Sequence, residues 1–479
     1  MMLQRAACRP SVGAGVGLRL SSAPSTAVRA APRWTRLYSA GGPPKPKSSS
    51  RALPAVAAVL AGGVGYQLAE YQKTSKSGAI PTLSGPVDLD ALTKSPVDSG
   101  SFETADAKLR EDVFVGSFTA EGKNTHVHAA RVASNHPVED MMAFSLAPGV
   151  GKSETLFNGV YDGHAGWATS VVLKDALIPA VSAPLSQLPS GAPDSTIDST
   201  IVKAFTNLDD LLFSNAKKAV DGLKAGTCET ADSRVTSVLA PVIAGSCALL
   251  SIFEPPPSAS PAPATPAPFW ALSPLAQPPT PPLSFPRTRT AATRTRRLFG
   301  IAVTRAFGDH RWKWDNDFIT HIHQNFWGTG PRPKTKTAPY MTAAPVVTTT
   351  KIESPDFVIL ASDGLWDHIS SKDAVECVSQ WIAAKKAGKQ TPQDKLAATP
   401  GQKSELDLTY GWPNWYAKPE NFVVEDLDNA AVHLIKNALG GARRTLFTGV
   451  ALAYPPLSRS VRDDVTVQVI FFQDPAKSG

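Results

Sequence analysis

A mixed fold of helices and strands in one large domain is predicted for this chain of 479 residues, and three observations predict it. Short apolar runs at 155–161, 245–253, 357–362 and 465–472 have the length and composition of strands. Helical patterns of apolar spacing cover 167–181, 199–219, 372–385 and 429–439. Both kinds are interleaved between residues 111 and 473, so they belong to one unit rather than to separate domains. At 42% hydrophobic residues the chain can bury a core, which excludes disorder throughout.

Taken in order, the chain begins with nine basic residues, Arg5 to Arg51, and no acid before Glu70. Residues 1–38 read as a mitochondrial presequence, with Arg36-Leu37-Tyr38-Ser39 as the cleavage region. Setting those nine charges aside from the net +7 leaves the remainder near −2. The basic balance therefore belongs to the leader, and a nucleic-acid surface is excluded as its explanation. Residues 39–110 are expected to be a linker, with an uncharged stretch at 52–68 that reaches the lower length limit for an inner-membrane anchor.

In the body, Val465, Val467, Val469 and Phe471 alternate on one face, the mark of a half-buried strand. Ser371 is expected to cap the third helix, and Gly440-Gly441 to end the fourth. The segment 254–297 carries about thirteen of the 42 prolines. Proline lacks an amide donor, so this insert is expected to run extended, exposed and outside the sheets. Cys8, Cys228, Cys247 and Cys377 are spaced for neither a zinc site nor a dense disulfide framework.

The chemistry lies in carboxylates placed where strands meet loops. Asp162 closes an apolar run and is followed by Gly163-His164. Asp363 closes another and is followed by Gly364. Asp463 and Asp464 open the last strand, and Glu139-Asp140 precede a further apolar stretch. Singly, an Asp-Gly after a strand is a common turn. Gathered, two unit charges 4 Å apart repel by about 4 kcal/mol at an effective dielectric near 20, and need a counter-charge. Oxygen donors without His or Cys select hard cations, Mg²⁺ or Mn²⁺. No glycine-rich loop opening a helix offers a nucleotide cradle, which argues against a nucleotidyl transferase.

The strings FNGVYDGHAG, GIAVTRAFGD, FVILASDGLWD and RDDVTVQVIFF resemble the ordered motifs of the metal-dependent protein phosphatases of type 2C. NHPVED and GDHRWKW further resemble the mitochondrial pyruvate dehydrogenase phosphatase branch. The resemblance implies two packed antiparallel β-sheets flanked by helices, an α+β fold, over 111–473. It implies Asp162 as the bridge between two metal ions, with Glu139 and the Gly163 carbonyl on one and Asp363 and Asp463 on the other. Asp140 would orient the attacking water, His164 would protonate the leaving oxygen, and Asp464 would support the site at a position that is often Asn in the family. Asn135 stands where many relatives of this family carry a phosphate-binding Arg. The implied activity is hydrolysis of phosphoserine and phosphothreonine, with the E1 component of the pyruvate dehydrogenase complex as substrate.

The chain departs from the family pattern at one place. The Gly-Asp-Ser-Arg strand that should follow 245–253 is absent, and the proline-rich insert stands there instead. Three readings are open: an insert foreign to the functional message, a phosphatase-like module that binds phosphoproteins without turnover, or a shortened sheet that still works.

Overall fold

The computed structural model describes residues 100–477 apart from 121–122, 230–231, 254–268, 273–302, 327, 351, 353–356 and 392–414. The expected presequence, the apolar stretch at 52–68 and most of the expected linker lie outside the described residues.

Two sheets form the centre. In the first, β1 (Val113–Ala120), β2 (Lys123–Val132), β10 (Val465–Phe471) and β9 (Phe357–Ala361) lie in that order. All neighbours are antiparallel, and Val467 stands between Ala130 and Ala361. The second sheet runs β3 (Met141–Pro148), β4 (Glu154–His164), β5 (Gly245–Phe253), β6 (Phe269–Leu272) and β8 (Val346–Thr349), with the short β7 (Phe307–Gly308) also paired to β5.

The sheets face each other across Val127, Leu156, Val160, Phe253, Leu360 and Ile470, an apolar layer drawn from both. Helices cover the outer faces. On the first sheet lie α1 (Phe102–Leu109), α8 (Ser371–Ala387), α9 (Ala430–Ala438) and α10 (Arg444–Leu452), which share one core cluster with Val465, Val467, Val469 and Phe471. On the second lie α2 (Ala168–Leu185) and α3 (Asp194–Lys224), packed over Phe157, Tyr161, Leu250 and Ile252. A satellite core joins α3 to α4 (Ser233–Ile243) and α6 (Asn316–Asn325). The implied architecture of two antiparallel sheets flanked by helices is the observed one.

Four local expectations change. First, β10 is buried on both faces, not one: Thr466, Gln468 and Ile470 are as inaccessible as the valines. The alternation survives because the second face meets the other sheet, where the Gln468 amide donates to the Gly159 carbonyl at 2.9 Å. Secondly, the cap of α8 is Ser370, whose hydroxyl accepts from the Asp373 amide, rather than Ser371. Gly441 does sit in the left-handed region after α9, its amide on the Lys436 carbonyl.

Thirdly, α1 falls inside the stretch expected to be linker. Its Ala105 and Leu109 are fully buried in the first core, so this helix is part of the folded unit. Fourthly, part of the proline-rich insert enters the sheet. Phe269–Leu272, a proline-free run between Pro268 and Pro274, pairs with β5 on one side and β8 on the other. Its four residues all carry an amide donor, as a strand inside a sheet requires.

A central strand tolerates no loss of a donor. Ala271→Pro is therefore expected to destabilise the protein by about 1–3 kcal/mol, the cost of a buried acceptor left without its donor, read as a lowered midpoint in thermal unfolding of the full chain.

Candidate active site

The residues named from the sequence come together at one end of the gap between the sheets. Asp162 shares its parity along β4 with Leu156 and Val160, which line that gap, so its carboxylate opens toward the other sheet. Asp363 starts the one-turn helix α7 (Asp363–Trp366) directly after β9. Its amide stands 3.5 Å from Asp162 Oδ2. Gly364 is forced by crowding, since a Cβ there would fall 2.0 Å from the Asp464 carbonyl.

One carboxylate organises the loop that carries Glu139 and Asp140. Asp464 Oδ1 accepts from the Ser134 amide at 2.5 Å, the Ser134 hydroxyl at 2.8 Å and the Asn135 amide at 3.1 Å. Its Oδ2 accepts from the amides of Glu139 at 2.8 Å and Asp140 at 3.3 Å. Residues 134–140, between β2 and β3, are thereby tied to the first residue before β10.

Glu139 is held at both carboxylate oxygens. Asn135 Nδ2 donates to Oε2 at 2.8 Å and the Gly166 amide to Oε1 at 2.8 Å. Gly163 lies against the Glu139 backbone, and a Cβ on it would meet the Glu139 carbonyl oxygen at 2.2 Å. Asp463 Oδ1 accepts from Arg459 of the short helix α11 (Ser458–Val461) and from the Asp464 amide. His164 Nε2 is 2.7 Å from Asp309 Oδ2.

The electrostatics follow from this crowding. Burial, then the charges of Asp363, Asp140 and Asp463, hold Asp162 well above the ordinary carboxylate range. Asp140 is raised likewise, by burial and then by Asp464. Burial also raises Glu139, against the Gly166 hydrogen bond and the charge of Arg459. For His164, burial opposes the charged ring, but Asp309, Asp162 and Glu139 outweigh it and raise the imidazole to about 9. Cys247, opposite Asp162 in the β4–β5 register, has its thiol pushed far up by burial and then by these same acids. A thiol so placed stays protonated, and the donor set remains oxygen.

Among the described residues no three acid, imidazole or thiol groups form a closed ligand set around one point. Asp463 is instead turned to Arg459, and Glu139 to Asn135 and Gly166. Three participants carry no role in the sequence reading: Asp309, Arg459 and Ser134. Asp309 ends the string GIAVTRAFGD, but its partner His164 is 145 residues away, a relation only the fold supplies.

Five donors on two oxygens suit a carboxylate at position 464 in this chain. Asp464→Asn would set an NH2 group against N–H donors on one side. The expected cost is about 1–3 kcal/mol, measured as a lower midpoint in denaturant unfolding, with Asp464→Ala losing at least as much.

Comparison with known proteins places the chain. The family model "Protein phosphatase 2C" matches residues 288–399. A protein phosphatase 2C homolog of Schizosaccharomyces pombe is 30% identical over 433 residues, covering 84% of this chain and 88% of that protein. The mitochondrial [pyruvate dehydrogenase [acetyl-transferring]]-phosphatase 1 of Saccharomyces cerevisiae is 29% identical, over 72% of this chain and 68% of its own length. Its rat namesake is 32% identical over 191 residues, 37% of this chain and 34% of that protein. With a relative at that identity spanning nearly its whole length, the chain belongs to the protein phosphatase 2C family and is a serine/threonine protein phosphatase.

Proposed function

We propose that this phosphatase acts in mitochondria on phosphoserine and phosphothreonine of the pyruvate dehydrogenase complex, its E1 component above all. Two Mg²⁺ or Mn²⁺ ions would be held by Glu139, the Gly163 carbonyl and Asp162 on one side, and by Asp162, Asp363 and Asp463 on the other. The residues fit such a group. The donors are hard oxygens, their mutual repulsion calls for a cation, and Asp140 Oδ2 is buried without a hydrogen-bond partner among the described residues. The crowding at Gly163 leaves no room for a side chain between its strand and Glu139.

When bound, the ions supply Lewis-acid activation of water and neutralise phosphoryl charge. The protein's own residues do the rest. Asp140 orients the attacking water through its free oxygen, and Asp464 fixes the loop from which Asp140 acts. His164, charged at neutral pH, gives a proton to the seryl or threonyl oxygen as it leaves. Asn135 steadies Glu139 rather than presenting a positive charge to phosphate.

The observation that carries the reading is the approach of Asp162 and Asp363, from different sheets, at 3.5 Å from amide to carboxylate. The mitochondrial assignment draws support from the acid-free basic leader and from the mitochondrial phosphatases of S. cerevisiae and rat to which the chain is similar. The competing reading, a phosphoprotein-binding module without turnover, draws on the missing Gly-Asp-Ser-Arg strand.

Asp162→Ala is expected to abolish both Mn²⁺ binding in calorimetry and Mn²⁺-dependent turnover of a chromogenic phosphate ester. Phosphoprotein binding that is indifferent to chelators, with no turnover in the wild type, would favour the binding module. Because Asp162 and Asp140 are raised, protons compete for the site at unusually high pH. On acidification, Mn²⁺ affinity should therefore begin to weaken above the ordinary carboxylate range of about 4, as a calorimetric titration series would read.

A further inference from the structure

We propose that Asp309 is the positioning residue of the leaving-group acid: it binds Nε2 of His164 and so leaves Nδ1–H for the departing oxygen. This inference rests on the reading of His164 as proton donor. Three strands are registered to make the contact. His164 of β4 lies opposite Gly245 of β5, and Gly245 lies opposite Gly308 of β7, so Asp309 stands one residue beyond that row. The imidazole and carboxylate meet across the bare Cα of Gly245. A Cβ there would fall 2.2 Å from His164 Nε2 and 2.6 Å from Asp309 Cγ.

The backbone at Asp309 is held in a conformation that residues with side chains seldom adopt, φ 60° and ψ 46°. Its amide donates to the Ala244 carbonyl at 2.8 Å. Gly308 before it has φ 68°, and its amide donates to Asp209 Oδ1 at 2.9 Å. Asp209 in turn takes Lys313 at 2.6 Å, and Lys313 also donates to the Ala306 carbonyl at 2.7 Å. A buried ion pair thus clamps β7 from behind, and the product of the clamp is one carboxylate aimed at one imidazole.

The contact has a chemical consequence. The imidazole is about one-third exposed, 35%, whereas Asp309 is 10% exposed. Nε2–H is committed to Asp309, and among the described residues Nδ1 has no partner. In the hydrolysis, the P–O bond to the serine oxygen breaks and a P–O bond to the water oxygen forms. The serine oxygen takes the Nδ1 proton, the proton lost by water restores the imidazolium, and free serine and phosphate are released. Asp309 accepts Nε2–H throughout and gains or loses no proton itself, the arrangement of an orienting carboxylate.

The test compares substrates whose leaving groups differ in their need for a proton. With Mn²⁺, Asp309→Asn should lose about 10–100-fold in kcat on a phosphoseryl peptide with KM nearly unchanged. It should lose far less on p-nitrophenyl phosphate, whose phenolate departs unaided. Asp309→Glu should recover part of the loss, and Mn²⁺ binding in calorimetry should stay at the wild-type value. His164→Gln should show the same split. If His164→Gln shows it and Asp309→Asn does not, the role of Asp309 is overturned while that of His164 stands. If His164→Gln shows no split, the reading of His164 fails and this inference with it. Equal losses on both substrates in Asp309→Asn, tracking a lowered unfolding midpoint, would make Asp309 a structural residue only.

Discussion

The carboxylate of Asp464 is the constraint on which the site depends. It sits where β10 begins and collects five donors from residues 134–140, joining the first sheet to the loop that enters the second. Without such a joint, Glu139 and Asp140 would be carried on an irregular stretch with nothing to fix their distance from Asp162. With it, both amides of the Glu139-Asp140 pair are spent on Asp464, and the two side chains are left to face the cleft. Charged acceptors of several amides are among the stronger hydrogen-bonding arrangements available to a protein. The same residue therefore holds the sheets in register at this end and presents the acids.

Gathering carboxylates in a cleft opposes stability, and the surrounding structure answers it with directed partners. Arg459 faces Asp463, Asn135 and the Gly166 amide face Glu139, and Asp309 faces the imidazole beside Asp162. Asp162 and Asp140 are both held well above the ordinary carboxylate range, by burial first and then by neighbouring carboxylates. Repulsion of this kind is what a divalent cation can relieve, and groups so perturbed in a cleft are candidates for function.

The legible part of this site was whatever repeats a local rule. Asp363 and Asp463 flank strand ends, and a glycine follows Asp162 and Asp363. The apolar run before Asp162 reads as ending at Tyr161, but β4 carries on through Asp162 to His164. The strand over 245–253 was readable from its apolar run, and it is observed with those bounds. What escaped is what depends on contact between distant segments. The polar face of β10 looks solvent-facing in sequence, and is buried because a second sheet lies over it. Phe102–Leu109 looks like a polar connection because Ala105 and Leu109 are its only buried residues, with Phe102 packed against the same core. The pairing of His164 with Asp309 needs two strand registers, neither of which is encoded near either residue.

The proline-rich insert bears unequally on the two ends of the second sheet. Along β5, the end near the site, Gly245 and Ser246, is paired by Gly308 and Phe307, which come after the insert. The far end, Leu249 to Ile252, is paired by Leu272 to Phe269, the four residues of the insert that form strand. The sheet edge that would have stood open is thus closed at its remote end by a short, proline-free run, and the active end owes nothing to it. The carboxylates, the Asp464 joint and the His164–Asp309 pair all lie with the segment that retains the family's motif. Stability can therefore be lost through β6, while the spacing of the gathered carboxylates is set elsewhere.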